Sequence, residues 1–512
     1  MIRFNKQLFA FLFIYSIKLL SQSLTYYVDP NTGSDNNIGT IDKPFLTINK
    51  AVNVLTSSTS GTIYLRSGTY ILSSNLRPTQ SGTSLGYFNL WAYPGEKPIL
   101  DFSTEPFGSR GLYLSVNFWN VKGLEIKNSG DNGVYISGSN NIIENCAIHD
   151  NQDTGLQIDG GGHDNRIINC DSYYNADPGQ GNADGFSPKL GVGTGNYFFG
   201  CRAWQNSDDG WDGYLRTTND VSTVLENCWS FKNGYLKNGV ASQGNGNGFK
   251  MGGSDNKDLM HNFILKNCLA FDNRIKGFDQ NNNLGSMTLF NCTAFRNGTY
   301  NFYMPTNLNS GKTLTIKNCI SFSQSISILQ TATQERNSWL PPFTVATQDF
   351  VSVDPISAYG FRKPDGSLPD IYFMHLALGS NLIDAGVDVG ITFIGTAPDI
   401  GAFEFDPTIP SAVDKISSLP SEFILVNCYP NPFNPETTIE FQIPRQGNVS
   451  IKIFDINGIQ ITDLYKGLNS AGSYKVRWNG VNDKGLKVAT GIYFCVVRFE
   501  NALKYNKLLL LK

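Results

Sequence analysis

The sequence has no surplus of charge of either sign. Its 512 residues carry a formal net charge of −3, so no overall field draws nucleic acid or another polyanion. An acidic ligand has to be met by a local site. Past the N-terminus there is no apolar run long enough to cross a bilayer, which excludes a later membrane span. A disulfide framework is missing too, because seven of the nine cysteines close similar phrases instead of forming a spaced network. Between those cysteines there is no amphipathic helix of ordinary length, which excludes a helix-bearing repeat.

What is present is repetition. The phrases are IIENC, RIINC, YFFGC, TVLENC, FILKNC, TLFNC and TIKNC, ending at Cys146, Cys170, Cys201, Cys228, Cys268, Cys292 and Cys319. They recur at intervals of 24 to 40 residues, and each interval holds short β-type runs and Gly/Asn turns. Such a pattern predicts a parallel β-helix with cysteine as a small buried residue in a stacked column. Asparagine beside each cysteine suits a turn or a ladder between coils. The chain is too long for one ordinary core but suits a solenoid followed by a small domain.

Residues 1–23 read as a secretory signal: Arg3 and Lys6 form a basic start, LFAFLFIYSI an apolar core, and Ser21 and Ser23 are small residues for cleavage. Lys18 interrupts the apolar run. Export is therefore expected. The solenoid spans 24–406, a Pro/Ser-bearing linker 407–422, and alternating apolar and polar runs over 423–512 predict a small Ig-like β-sandwich. Trp478, Tyr465 and Tyr474 are the candidates there for an aromatic sugar platform.

A second marker recurs in each coil: glycine followed by a large apolar residue, at Val134, Leu156, Phe186, Trp211, Phe249 and Phe278. These side chains should point inward, and their successors Tyr135, Gln157, Ser187, Asp212, Lys250 and Asp279 outward. Asp184 and Asp209 occupy the same place before the glycine in successive coils, and Asp208 and Asp212 flank the second. Four carboxylates should therefore converge, with Lys250 one coil further on. The insertion GYLKNGVASQGNG should bulge as a loop beside them.

Aspartates without His or Cys suit a hard cation. Calcium tolerates irregular all-oxygen geometry, whereas magnesium prefers to keep its waters. A solvated acidic patch, or a calcium that only pins the coils, is the alternative. Lys250 is either a general base or a surface ammonium paired with Asp212. Calcium beside a basic lysine suits β-elimination on a uronic acid polymer: the carboxylate is bound, the C5 proton is removed, and the C4–O bond breaks. Lys189, Arg274 and Lys276 are candidate carboxylate clamps on nearby coils.

The motifs GNADGF, SDDGWDG, GNGFKMGG and NRIKGFDQNN, with the opening YYVDPNTGSDNNIGTIDKPFLTINKAV and the closing APDIGAFEF, resemble polysaccharide lyase family 9. Those are calcium-dependent pectate lyases built on a right-handed parallel β-helix. The resemblance implies that Asp184, Asp208, Asp209 and Asp212 bind Ca2+ and that Lys250 is the base. The substrate implied is polygalacturonate, with rhamnogalacturonan or alginate as alternatives. Two further rivals are a non-catalytic polysaccharide-binding β-helix and a polygalacturonase, although the GHG motif of the latter is absent. The tail resembles a type A sorting domain of the bacterial type IX secretion machinery, which implies passage across an outer membrane, often with removal of the tail and cell-surface attachment, so that the protein is secreted or held on the outer cell surface; a monomer is expected.

Overall fold

The computed structural model describes residues 24–55, 58–407, 424–445, 447–469, 472–483, 486–500 and 502–511. The signal segment, and the linker apart from Pro407, lie outside the described residues. The chain divides into two compact units, up to Asp406 and from Pro407 onward.

The first unit is a parallel β-helix. Each coil gives one strand to each of three sheets, of twelve, ten and nine strands, and within each sheet the strands follow sequence order. Pairing is parallel throughout, as in Phe186↔Trp211 and Trp211↔Phe249. The inward positions carry large apolar side chains that meet their counterparts one coil away. Phe186, Trp211, Phe249, Phe278 and Phe302 form a continuous stack with ring centroids 4.8 to 5.0 Å apart. That distance is the strand spacing itself, so the aromatic column adds contact without distorting the coils.

All seven repeat cysteines are buried and unpaired by disulfides. Six of the residues before them are asparagine and the seventh is Gly200, and all have positive φ, from 51° to 62°. They are left-handed turn residues, a conformation that asparagine and glycine adopt most cheaply. The ladder is made by a different asparagine column. The side-chain amides of Asn151, Asn175, Asn206, Asn233, Asn273 and Asn297 each donate to the carbonyl of the next, ending on Asn301, over 2.9 to 3.0 Å.

A short helix, Ile48–Leu55, absent from the sequence reading, buries Ile48, Ala51, Val52 and Leu55 in the same core. After the last coil the chain runs back over the ten-stranded sheet. There Phe350, Phe373 and Leu382 cover an outward column of Trp204, Phe231, Phe271 and Phe295. Arg202 ties this cover down through the carbonyls of Ala358 (2.9 Å) and Gly360 (2.8 Å), while Asp171 holds both Arg202 and Arg362.

The second unit has a three-stranded and a four-stranded antiparallel sheet around a core that includes Phe441, Ile451, Trp478 and Val497. Trp478 is wholly buried, its indole N–H on the Val481 carbonyl, so it offers no face to a sugar.

Candidate active site

On the nine-stranded sheet the outward residues line up. Gln157 pairs with Ser187, Asp212 with Lys250, and Lys250 with Asp279. The residue before each glycine makes a second column, and there the backbone fixes the side chains. The amide of Asp184 donates to Thr154 Oγ1 (3.2 Å), that of Asp209 to Asp184 Oδ1 (3.0 Å), and that of Asn247 to Asp209 Oδ1 (2.7 Å). Each carboxylate is thus clamped by the next coil, and its second oxygen turns toward the outward column.

Asp184, Asp209 and Asp212 come together, with one carboxylate oxygen of each within 4.8 Å of the others. Asp208 is not part of this trio. It lines the same groove, and its Oδ1 takes the amide of Asn245 from the inserted loop. Lys250 Nζ lies 3.2 Å from Asp209 Oδ2 and 3.3 Å from Asp212 Oδ1. Lys189 is drawn in as well, 2.7 Å from Asp184 Oδ2 and 3.6 Å from Asp212 Oδ2. Both lysines are buried.

The charges are strongly perturbed. Burial, reinforced by Asp184, pushes Asp208 up to about 7. Burial and the adjacent Asp208 hold Asp209 well above the usual carboxylate range. For Asp212 burial is outweighed by Lys250 and Lys189, so its carboxyl is lowered. Burial also opposes the Lys250 ammonium, but Asp212, Asp209, Asp208 and Asp184 outweigh it and raise its pKa well above the ordinary value.

The trio fits a hard dication. All its donors are oxygen, and among the described residues the buried Asp209 Oδ2 makes no hydrogen bond, its one close polar contact being the ion pair with Lys250. Fully ionised, four aspartates and two lysines would carry two net negative charges, which one divalent ion would balance; the raised Asp208 and Asp209 carboxyls reflect that charge left uncompensated.

The groove above has room for about 400 Å³ of solvent. It is lined by Lys189, Lys250, Asp208, Asp212 and Asn245, and also by residues the sequence reading did not select: Arg110, Asp131, Asp153, Tyr214 and Arg216. Arg110 carried a readable signal, because it precedes Gly111-Leu112, the same glycine–apolar marker one coil before Val134. Asp153 was readable too, since it stands two residues before Gly155-Leu156 as Asp208 does before Gly210-Trp211, whereas Tyr214 and Arg216 lie beyond the strand and have no such signature. Of the candidate clamps, only Lys189 lines the groove. Arg274 reaches the Gly244 carbonyl and braces the inserted loop, and Lys276 pairs with Asp279 at 3.0 Å and lies over Tyr303.

Residues 26–325 match the Pel9A-like right-handed β-helix region, and residues 433–502 match the FlgD Ig-like domain. The chain is 38% identical over 401 residues to pectate lyase L of Dickeya dadantii (strain 3937), covering 75% of this chain and 91% of that one. The crystal structure of pectate lyase Pel9A superposes with a TM-score of 0.68 at 36% identity, over 75% of this chain and 97% of that one. A rhamnogalacturonan lyase structure gives a TM-score of 0.62 at 30% identity, over 69% and 96%.

Proposed function

The chain belongs to the Pel9A-like right-handed β-helix family of pectate lyases, and on that premise we propose that it cleaves polygalacturonate by calcium-dependent β-elimination with Lys250 as the base. The observation that carries this reading is the place of the Lys250 amine, 3.2 to 3.3 Å from two aspartates of the trio and open to the groove.

Asp184, Asp209 and Asp212, with Asp208 beside them, would hold a calcium ion, which when bound supplies positive charge for a uronate carboxylate. Lys189 adds a fixed cation against Asp184 and Asp212 and serves as a carboxylate clamp. Lys250 takes the proton from C5, alpha to that carboxylate. The electron pair forms the C4–C5 double bond, the C4–O bond breaks, and the departing sugar oxygen is protonated from solvent. While Asp209 and Asp212 are uncompensated they keep Lys250 charged, so the base works only when their charge is taken up. An alkaline optimum is the expected signature.

The test is the rate of unsaturated product formed from polygalacturonate. Lys250→Ala should lower it at least about 1000-fold, in the range of a lost general base plus its positioning. Turnover by that variant at the wild-type rate would remove Lys250 from the reaction. Release of reducing ends without unsaturated product would instead indicate hydrolysis and reject elimination. A rhamnogalacturonan is the second reading, favoured by the likeness to a rhamnogalacturonan lyase structure, and the same assay on that polymer separates the two.

Export through the type IX route, with the C-terminal unit as sorting domain, belongs to this proposal. It is supported by the resemblance of the tail and by the antiparallel sheets of that unit.

A further inference from the structure

The outward column does not end at the trio. It continues through Gln157 to Tyr135 and Tyr113, which are in register on the first strands of the nine-stranded sheet. Arg110 lies against this end. Its guanidinium carbon is 3.5 Å from the centre of the Tyr135 ring and 5.5 Å from that of Tyr113. We infer that Arg110, held flat on Tyr135, is a distal subsite that grips a uronate carboxylate of a long substrate and makes chain length a determinant of rate. This rests on the polyuronate reading above.

Three observations support it. Arg110 lines the same groove as Lys250, so a chain bound at the trio can reach it without leaving the wall. From Tyr135 to Lys250 there are four coil steps, about 19 Å at the strand spacing. A pyranose unit advances an extended chain by close to one such step, so the carboxylate gripped belongs to a sugar about four units from the bond cleaved. Finally, the guanidinium has unused donors. Among the described residues its enclosed Nε has no hydrogen-bond acceptor, and Asp131 Oδ2 stands at 3.7 Å, beyond hydrogen-bond reach. Stacking on Tyr135 fixes the plane of the fork in advance, which suits bidentate capture of a carboxylate.

The acids nearby do not fill this role for the substrate. Asp159 is occupied by the Tyr135 hydroxyl (3.0 Å) and by the amides of Gly160 (2.6 Å) and Gly191 (2.8 Å). Asp131 is the competitor that an incoming carboxylate replaces, so removing its charge should help rather than harm.

The test compares galacturonate trimers with octamers in the calcium-loaded full chain. In Arg110→Ala, kcat/KM for octamers should fall about tenfold while that for trimers stays within about twofold, as for one lost charge-assisted contact. Arg110→Lys should recover part of the loss, and Asp131→Asn should raise the octamer value. Equal losses for trimer and octamer, or no loss for either, would overturn the subsite. The comparison is made within each variant, so it stays readable if Lys250 is not the base. If no galacturonate is turned over, calorimetric binding of octamers decides: affinity unchanged by Arg110→Ala rejects the subsite, and weakened affinity supports it.

Discussion

Lys189 and Lys250 are enclosed by protein, yet both keep their charge because aspartates surround them. His261 behaves in the opposite way. It is fully buried directly behind Asp212-Gly213, with Nδ1 donating to the Gly213 carbonyl and Nε2 accepting from Thr223 Oγ1, both at 2.8 Å. Burial lowers its pKa to about 4, so the folded chain holds it neutral at any working pH. The unfolded chain takes up a proton near 6.5, and the folded chain resists until about 4. Stability is therefore full above 6.5 and is lost as the pH falls from there toward 4, by about 3 kcal/mol for this group. Thermal unfolding between pH 7 and 4 should show this slope in the wild type and a shallower one in His261→Gln. An unchanged slope would mean that His261 does not carry it.

Among the elements, the coil is the unit that turns sequence into a site. Its two asparagine positions are chemically alike and structurally distinct. Asn233 donates to Asn273 Oδ1 (3.0 Å), Ser230 Oγ (3.1 Å) and the Ala203 carbonyl (3.2 Å), and accepts from Asn206. Asn233→Ala leaves several of these buried groups unpaired and should cost about 3 kcal/mol. Asn227, by contrast, is there for its φ of 54°. Asn227→Gly should change stability by less than about 1 kcal/mol, because Gly200 already serves in the equivalent turn. Thermal unfolding midpoints check both; equal effects would mean the two columns are not doing different work.

This contrast also marks what could be read in advance. The glycine–apolar marker gave the inward stack from Phe186 to Phe278 and the outward pairing of Asp212 with Lys250, because alternation along a strand is a local property. Which asparagine column forms the ladder was not legible, since turn and ladder positions share the same residue type. Nor was the reach of long side chains. Lys189 folds back onto Asp184, whereas Arg274 turns to the loop, and both are cations on neighbouring coils. Asp208, adjacent to Asp209 in sequence, takes the Asn245 amide of the inserted loop; both lie in the bend before the strand Trp211–Asp212, where side-chain direction follows the local turn and strand alternation gives no guide.

For the whole molecule, the long cover after the last coil packs over the ten-stranded sheet from Tyr173 to Phe322, so much of one wall is closed by the chain itself. The nine-stranded wall keeps its groove, and there the polar side chains of successive coils accumulate. Stacking makes one centre from residues as far apart as Asp184 and Lys250. The most direct test is a calorimetric calcium titration of the wild type, Asp209→Asn and Lys250→Ala, paired with turnover of polygalacturonate. The wild type should bind one ion at this centre, and Asp209→Asn should weaken that binding at least about tenfold, as expected for a lost charged ligand. Lys250→Ala should bind calcium at least as tightly as the wild type, because its ammonium no longer competes for Asp209 and Asp212, while losing turnover. Calcium binding that is indifferent to Asp209, or Lys250→Ala that keeps its turnover, would contradict the account.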